Sequence, residues 1–367
     1  MASGICAFHN LDSRRCGRWK ARRQRRSAHS TARRLESQGK TAGRPLKTYI
    51  ARRLLQLIPI LLGITLLSFL LMWAAGGDAV TTMIENQGVA VSQEVIDARR
   101  HELGLDQPFI VQYLSWLGGF VTGNMGTSYV SGNSVLGTFG QKLPVTIVLA
   151  LASMILTLAI SIPLGILCAV KRNKAVDYVV RALGFVGNSL PGFVVALLLM
   201  LVFAVKLGWL PAISSTIGKS GLASISWQGA VMPTLTLAIA MSAKYTRQIR
   251  ATVLDELGKP YVQGARARGV PERTILFKNV LKSCLPVIVT LVALSIGDLL
   301  GGTAIVETIF GWDGVGKLAV DSISMRDYPM IQAYVAWMAI IYVVVNLVAD
   351  IVHRKLDPRV AAEEVAR

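Results

Sequence analysis

Six stretches of this chain run long and nearly free of charge: 54–74, 144–170, 182–205, 221–243, 283–309 and 328–349. The fourth is expected to become helical near Ala230, and the fifth is interrupted by Asp298 and Glu307. A helix rises about 1.5 Å per residue, so about 20 apolar residues cross the roughly 30 Å hydrocarbon layer. Helices of soluble proteins average about 11 residues and keep a polar face. These runs are longer and lack such a face. The pattern predicts an all-α membrane protein with six transmembrane helices. A secretory signal does not fit, because the first run exceeds a signal core of about 7–15 residues and no cleavage-like segment precedes a soluble chain.

Charge supports this reading. Only 16% of residues are charged and 53% are hydrophobic, whereas a soluble domain carries about 25% charge. The net charge of +18 suggests a nucleic-acid binder until it is located: residues 1–53 hold 15 of the 39 Lys and Arg, against Asp12 and Glu36 alone. It is the property of a tail, and no nucleic-acid partner is expected. Cys6, Cys16, Cys168 and Cys284 fit neither a metal knuckle nor a disulfide framework. No metal site or bound cofactor is expected.

Orientation follows from the loops. With the N-terminus in the cytoplasm, 32 of the 39 Lys and Arg fall inside and seven outside. The expectation is a multi-pass protein of the cell (inner or plasma) membrane with both termini cytoplasmic. Residues 1–46 form a basic tail nearly free of large apolar side chains, expected to be disordered. It suits anionic lipid headgroups, and an upstream start codon explains it equally. Residues 47–75 make the first transmembrane helix, and 76–143 a small external subdomain between helices 1 and 2. That subdomain has a helix near 94–103, with Phe109, Tyr113, Trp116 and Phe120 as surface to pack. Residues 144–352 form a five-helix core, and 353–367 a cytoplasmic tail.

Within that core, the inner loop 244–282 is punctuated by Gly258, Pro260, Gly269 and Pro271. Between them lies a short helix-compatible piece, 261–268, too short to be stable alone. Such a piece suits docking to a partner; a solvated basic loop fits the same pattern.

The run YVQGARARGV, 261–270, resembles the cytoplasmic signature of the permease subunits of binding-protein-dependent ABC importers, nearest to the dipeptide, oligopeptide and nickel group. Further segments are similar to that family in the same order: YIARRLLQLIPILLGITLLSF from Tyr49, LGLDQPFIVQYLSWLGGFVTGNMGTS at 103–128, VLKSCLP at 280–286, GGTAIVETIFGWDGVGKL at 301–318, and NLVADIVHRKLDPRV at the close. Three places depart from the family: Gly77-Asp78-Ala79 for Gly-Asp-Pro, Asn124-Met125 for Asp-Leu, and Trp312-Asp313-Gly314 for Trp-Pro-Gly. The resemblance implies a type I ABC importer permease-like bundle that forms half of a translocation pathway for peptides. A nickel, metal-chelate or other small-solute cargo is the alternative. The implied partners are a second permease subunit, two cytoplasmic ATPase subunits that hydrolyse ATP, an extracytoplasmic solute-binding protein, and membrane lipid. It also implies a coupling helix docking on the ATPase. There Tyr261, Ala265, Arg266, Arg268, Gly269 and Glu272 are the candidate residues. Ala265 and Gly269 would allow close approach, the two Arg would pair with partner carboxylates, and Gly269 would end the helix in a left-handed conformation.

Candidates for the pathway or its gate lie within the spans. Asp298 sits deep, and either lines the path or pairs with a neighbouring subunit. Glu307, near the outer end and within a motif shared with the family, points to gate-stabilising or structural pairing rather than solute contact. Asn188, Ser189, Pro191 and Gly192 break the third span, as in a water-lined helix or one packed through small residues. The string GWDGVGK, 311–317, has the spacing of a phosphate loop up to its Lys. Leu318 stands where Ser or Thr would hold magnesium, and no strand precedes it. No catalytic pair is visible, so an enzyme is not expected. A secondary carrier would show internal repeats, and none is evident.

Overall fold

The computed structural model describes residues 46–74, 80, 92–215 and 218–356. The expectations for 1–45, 77–79 and 357–367 therefore lie outside the described residues. Eleven helices are used below: α1 Leu46–Ala74, α2 Gln93–Glu102, α3 Phe109–Thr122, α4 Val135–Val170, α5 Ala175–Ser189, α6 Gly192–Leu199, α7 Trp227–Leu257, α8 Pro260–Ala267, α9 Leu281–Phe310, α10 Val315–Ser324 and α11 Tyr328–Leu356. Among the described residues extended pairing is limited to two isolated bridges, Thr127 with Ser134 and Ser215 with Ile225.

Four helical segments are long and apolar enough to cross a membrane: Leu55–Ala74, Val135–Val170, Glu272–Gly297 and Tyr328–Val352. A fifth crossing forms if α5 and the α6 segment through Lys206 count as one, although they meet at 101°. Six were expected from long apolar runs. The missing one is α7, whose uncharged part is diluted by Gln228, Pro233, Thr234, Thr236 and Ser242. Protein, not lipid, is its solvent: Met232, Ala238, Tyr245, Ile249 and Val253 are buried, and it packs against α4, α5, α6 and α9. A helix enclosed by other helices need not be apolar throughout.

Two boundaries differ from the sequence expectation. The second span begins at Val135, not residue 144, because Ser134 caps it by accepting from the Gly137 N–H at 3.3 Å, and Pro144 is carried inside the helix. The inner loop 244–282 is mostly helix. α7 runs on to Leu257, and α9 is entered through a π-helical turn, Ile275–Val280. Only α8 and its flanking turns interrupt it.

α4 and α7 form the centre of the bundle. A Cβ on Gly165 would lie 2.7 Å from Ile249 Cγ2, so only glycine permits this approach. Tyr245 Oη donates to the Leu291 carbonyl at 2.9 Å, tying α7 to α9. α1 stands apart, with Leu55, Ile58, Leu67, Leu71 and Trp73 exposed. Its contacts include the Thr65–Tyr113 hydroxyl pair at 3.1 Å and edge-on packing of Phe69 and Trp73 against Phe109.

Candidate functional site: a docking helix between breakers

α8 is short because its ends are fixed chemically. Pro260 occupies the first turn, where its missing N–H and preset φ are harmless. At the other end Gly269 has φ +74°, the Gly269 N–H donates to the Arg266 carbonyl (2.9 Å), and the Val270 N–H donates to the Ala265 carbonyl (3.2 Å). These paired bonds around a left-handed glycine are a Schellman ending.

One face of α8 is seated on the chain itself. Val262 and Ala265 are buried in the core with Ile275 and Val280. Ala265 therefore does not face outward as the sequence suggested. Its small side chain serves close seating of α8 on its own bundle, and Val262, which the sequence reading omitted, does the same. The signal was present in the three-residue spacing of two apolar positions in a polar segment. Glu256 at the end of α7 accepts from Lys259 Nζ and from Tyr261 Oη, the latter at 2.9 Å. The Glu256 carboxylate raises the Lys259 ammonium above its ordinary pKa.

Tyr261, Gln263 and Arg266 of α8 and Arg268 just after it are exposed. Arg266 is engaged within the chain: its Nε donates to Glu272 Oε1 at 2.6 Å and its Nη2 to Oε2 at 3.3 Å. This pair bridges the Schellman turn and raises the Arg266 pKa. Glu272 thus braces the helix from outside. Arg268 makes no ion pair among the described residues, so it is available to a partner.

The other candidates lie elsewhere. Asn188 and Ser189 end α5 and Pro191 precedes α6, all exposed at the 101° corner. Close packing nearby falls to glycines instead, with a Cβ on Gly187 3.7 Å from Ala243 Cβ. Asp298 lies on α9, and its side chain is outside the described residues.

Glu307 is fully buried near the far end of α9 and holds a clasp between helices. Thr146 Oγ1 donates to Glu307 Oε1 (2.7 Å) and accepts from the Val315 N–H (2.9 Å); the Lys317 N–H donates to Glu307 Oε2 (2.9 Å). The first turn of α10 therefore directs its unpaired N–H groups and dipole at an internal carboxylate. This accounts for the phosphate-loop-like string: its glycines allow close approach to a side-chain anion. A Cβ on Gly314 would lie 2.5 Å from Glu307 Oε2. Trp312 Nε1 donates to the Val145 carbonyl (3.2 Å), and Asp313, the departure from the family pattern, pairs with Lys142.

Comparison with known proteins places these features. The family described as binding-protein-dependent transport system inner membrane component matches residues 161–362, and its N-terminal companion matches 46–150. The oligopeptide transport system permease protein AppB of Bacillus subtilis is 41% identical over 324 residues, covering 86% of this chain and 99% of the relative. The glutathione transport system permease protein GsiC of Escherichia coli K12 is 36% identical over 312 residues, covering 85% and 98%. A chain of the inward-facing MetNI methionine ABC transporter has the same fold, with TM-score 0.50 and 17% identity over 60% of this chain and 97% of that one. The chain belongs to the family of binding-protein-dependent transport system inner membrane components, and is a multi-pass membrane permease subunit of an ABC importer, not an enzyme.

Proposed function

We propose that this permease forms half of a path for short peptides, and that α8 is its coupling helix, docked in a groove of a separate cytoplasmic ATPase. The observation that carries the proposal is the two-sidedness of α8. Val262 and Ala265 fasten it to the bundle, while Tyr261, Gln263 and Arg268 face outward between two sets of backbone breakers. A helix so held can transmit a push in either direction without unfolding. Arg268 offers a fork of donors to partner carboxylates.

The assembly comprises this chain, a second permease subunit, two ATPase subunits and an extracytoplasmic solute-binding protein. ATP is hydrolysed by the ATPase subunits. Both termini of this chain are cytoplasmic, which puts α8 and the ATPase on the same side. The names of the relatives, for oligopeptide and glutathione transport, support a peptide cargo over a metal chelate. The test is purification of the intact complex from native membranes, with its subunits and bound solute identified by mass spectrometry. Copurification of an ATPase and a peptide supports the proposal. A complex lacking an ATPase would overturn the coupling role, and a bound metal chelate the cargo.

A further inference from the structure

α3 carries three distinct faces. Phe109, Tyr113, Trp116 and Phe120 form a packing face: Phe109 and Tyr113 meet Phe69 of α1 edge-on, the rings of Tyr113, Trp116 and Phe120 stack in sequence, and Phe120 reaches Trp337 of α11. Gln112 and Ser115 lie on a polar face, lining a cavity shared with Arg100 and Glu102. The third face is apolar, and the described residues of this chain leave it uncovered. Ile110, Leu114 and Val121 are 66%, 56% and 78% exposed, and with the half-buried Leu117 they recur at i, i+4, i+7 and i+11, one stripe of a helix.

The contacts fix how deep this stripe lies. α1 and α11 are both long and apolar enough to cross a membrane. At about 1.5 Å per residue, Phe69 and Thr65 lie roughly 8 and 14 Å from the Ala74 end of α1, and Trp337 lies roughly 14 Å from the Tyr328 end of α11. α3 touches all three. It is therefore held against both spans at levels within the roughly 15 Å half-thickness of the hydrocarbon layer.

The chemistry of α3 suits that level. No charged residue occurs between Asp106 and Lys142. Tyr113 Oη donates to the Leu62 carbonyl at 3.3 Å and Thr122 Oγ1 to the Gly118 carbonyl at 3.0 Å, so these hydroxyls need no water. An uncovered apolar stripe marks a contact with protein or membrane. This one continues the apolar surface of α1, where Leu66 and Leu70 are exposed too. A protein interface would add a polar rim of specific hydrogen bonds, whereas acyl chains require apolar surface alone.

We propose that α3 lies partly sunk in one leaflet of the membrane, its stripe of Ile110, Leu114, Leu117 and Val121 against lipid acyl chains and its Gln112 and Ser115 face toward headgroups and water. At 14 residues it is too short to cross and of a length to lie in the interface. The expected external subdomain thus has its floor in lipid. The inference rests on α1 and α11 as spans, and on neither the cargo nor the coupling role of α8.

The test uses the full chain in lipid nanodiscs, in a Cys6→Ser/Cys16→Ser background, since Cys168 and Cys284 are buried. Nitroxide labels are attached to Leu114→Cys and Val121→Cys in the stripe, to Ser115→Cys in the polar face, and to Leu70→Cys of α1 as the lipid reference. Power-saturation EPR compares collisions with oxygen, which concentrates in lipid, and with a nickel chelate, which stays in water. Both stripe labels should favour oxygen as the reference does, at a depth of about 5–15 Å below the headgroups, while the Ser115→Cys label should favour nickel. Nickel-dominated collisions at either stripe position would put α3 in water, and low access to both probes would mean that protein covers the stripe; each result overturns the proposal, as does a Ser115→Cys label that favours oxygen equally. If one stripe variant fails to fold, the other decides.

Discussion

Arg250 grips Asp177 through two parallel hydrogen bonds, Nε to Oδ1 and Nη2 to Oδ2, each 2.7 Å long. Asp177 is fully buried and also accepts from the N–H of Asn173, whose φ is +60°. The pair fixes the turn before α5 to α7, two turns of helix ahead of the α8 junction. Removing one partner of such a pair strands the other charge, and costs about 3 kcal/mol or more. Arg250→Met should therefore lower the melting temperature more than the double variant Asp177→Leu/Arg250→Met. A thiol-reactive dye can report unfolding in a Cys6→Ser/Cys16→Ser background, since Cys168 and Cys284 are both buried. Equal melting temperatures for Arg250→Met and the double variant would show that an unpaired Asp177 carboxylate costs the fold nothing.

Gly269→Val should uncouple the transporter while leaving the protein in the membrane. At φ +74° a β-branched residue is strained by about 1–3 kcal/mol. A Cβ there meets nothing within 4 Å in this chain, so any crowding comes from the docked ATPase. Gly258→Ala is the comparison: φ is −78° and the nearest atoms to its Cβ lie at 3.6 and 3.8 Å, ordinary contact. The measurements are solute-stimulated ATP hydrolysis and retention of the ATPase on purification. Full stimulation with the ATPase retained in Gly269→Val would remove α8 from the coupling role.

Thr146→Val should destabilise the clasp by about 2–3 kcal/mol, because one hydroxyl serves both Glu307 and the Val315 N–H. Gly314→Ala should do at least as much through the clash with Glu307. Both are read by thermal unfolding in detergent. Thr146→Ser, which keeps the hydroxyl, should stay close to the parent. A Thr146→Val protein as stable as Thr146→Ser would remove the clasp from the stability of the fold.

Reporter fusions test the membrane topology. Fusions after Arg172 and Lys259 should read cytoplasmic, and fusions near Gln87 and Asp321 external. One reversed reporter among the four breaks the proposed arrangement.

Much of the helix content was legible because long uncharged runs have few alternatives to membrane helices. α1 and α11 show this, for lipid-facing residues must be apolar. α7 was harder to read, since Thr236 donates to the Met232 carbonyl of its own helix and Tyr245 to the Leu291 carbonyl of α9, which relaxes the hydropathy demand. The left-handed ending at Gly269 could be read because few residues other than glycine adopt it cheaply. The inward turn of Ala265 was legible only as the spacing of Val262 and Ala265 in a polar segment; the surface of Ile275 and Val280 that receives them comes from later in the chain. The partner of Glu307 was likewise hidden: Thr146 lies 161 residues earlier, and no local pattern joins them.

That separation has a consequence for how the protein is made. Val145 and Thr146 of α4, with Lys142 beside them, find their outer partners 161 to 171 residues downstream. At about 5–20 residues per second, the ribosome needs roughly 10–30 s to supply those partners. During that interval α4 sits in the translocon or the bilayer with an uncapped hydroxyl and an unmatched lysine. A nascent chain arrested before α10 therefore lacks the partners for polar groups that the finished protein pairs.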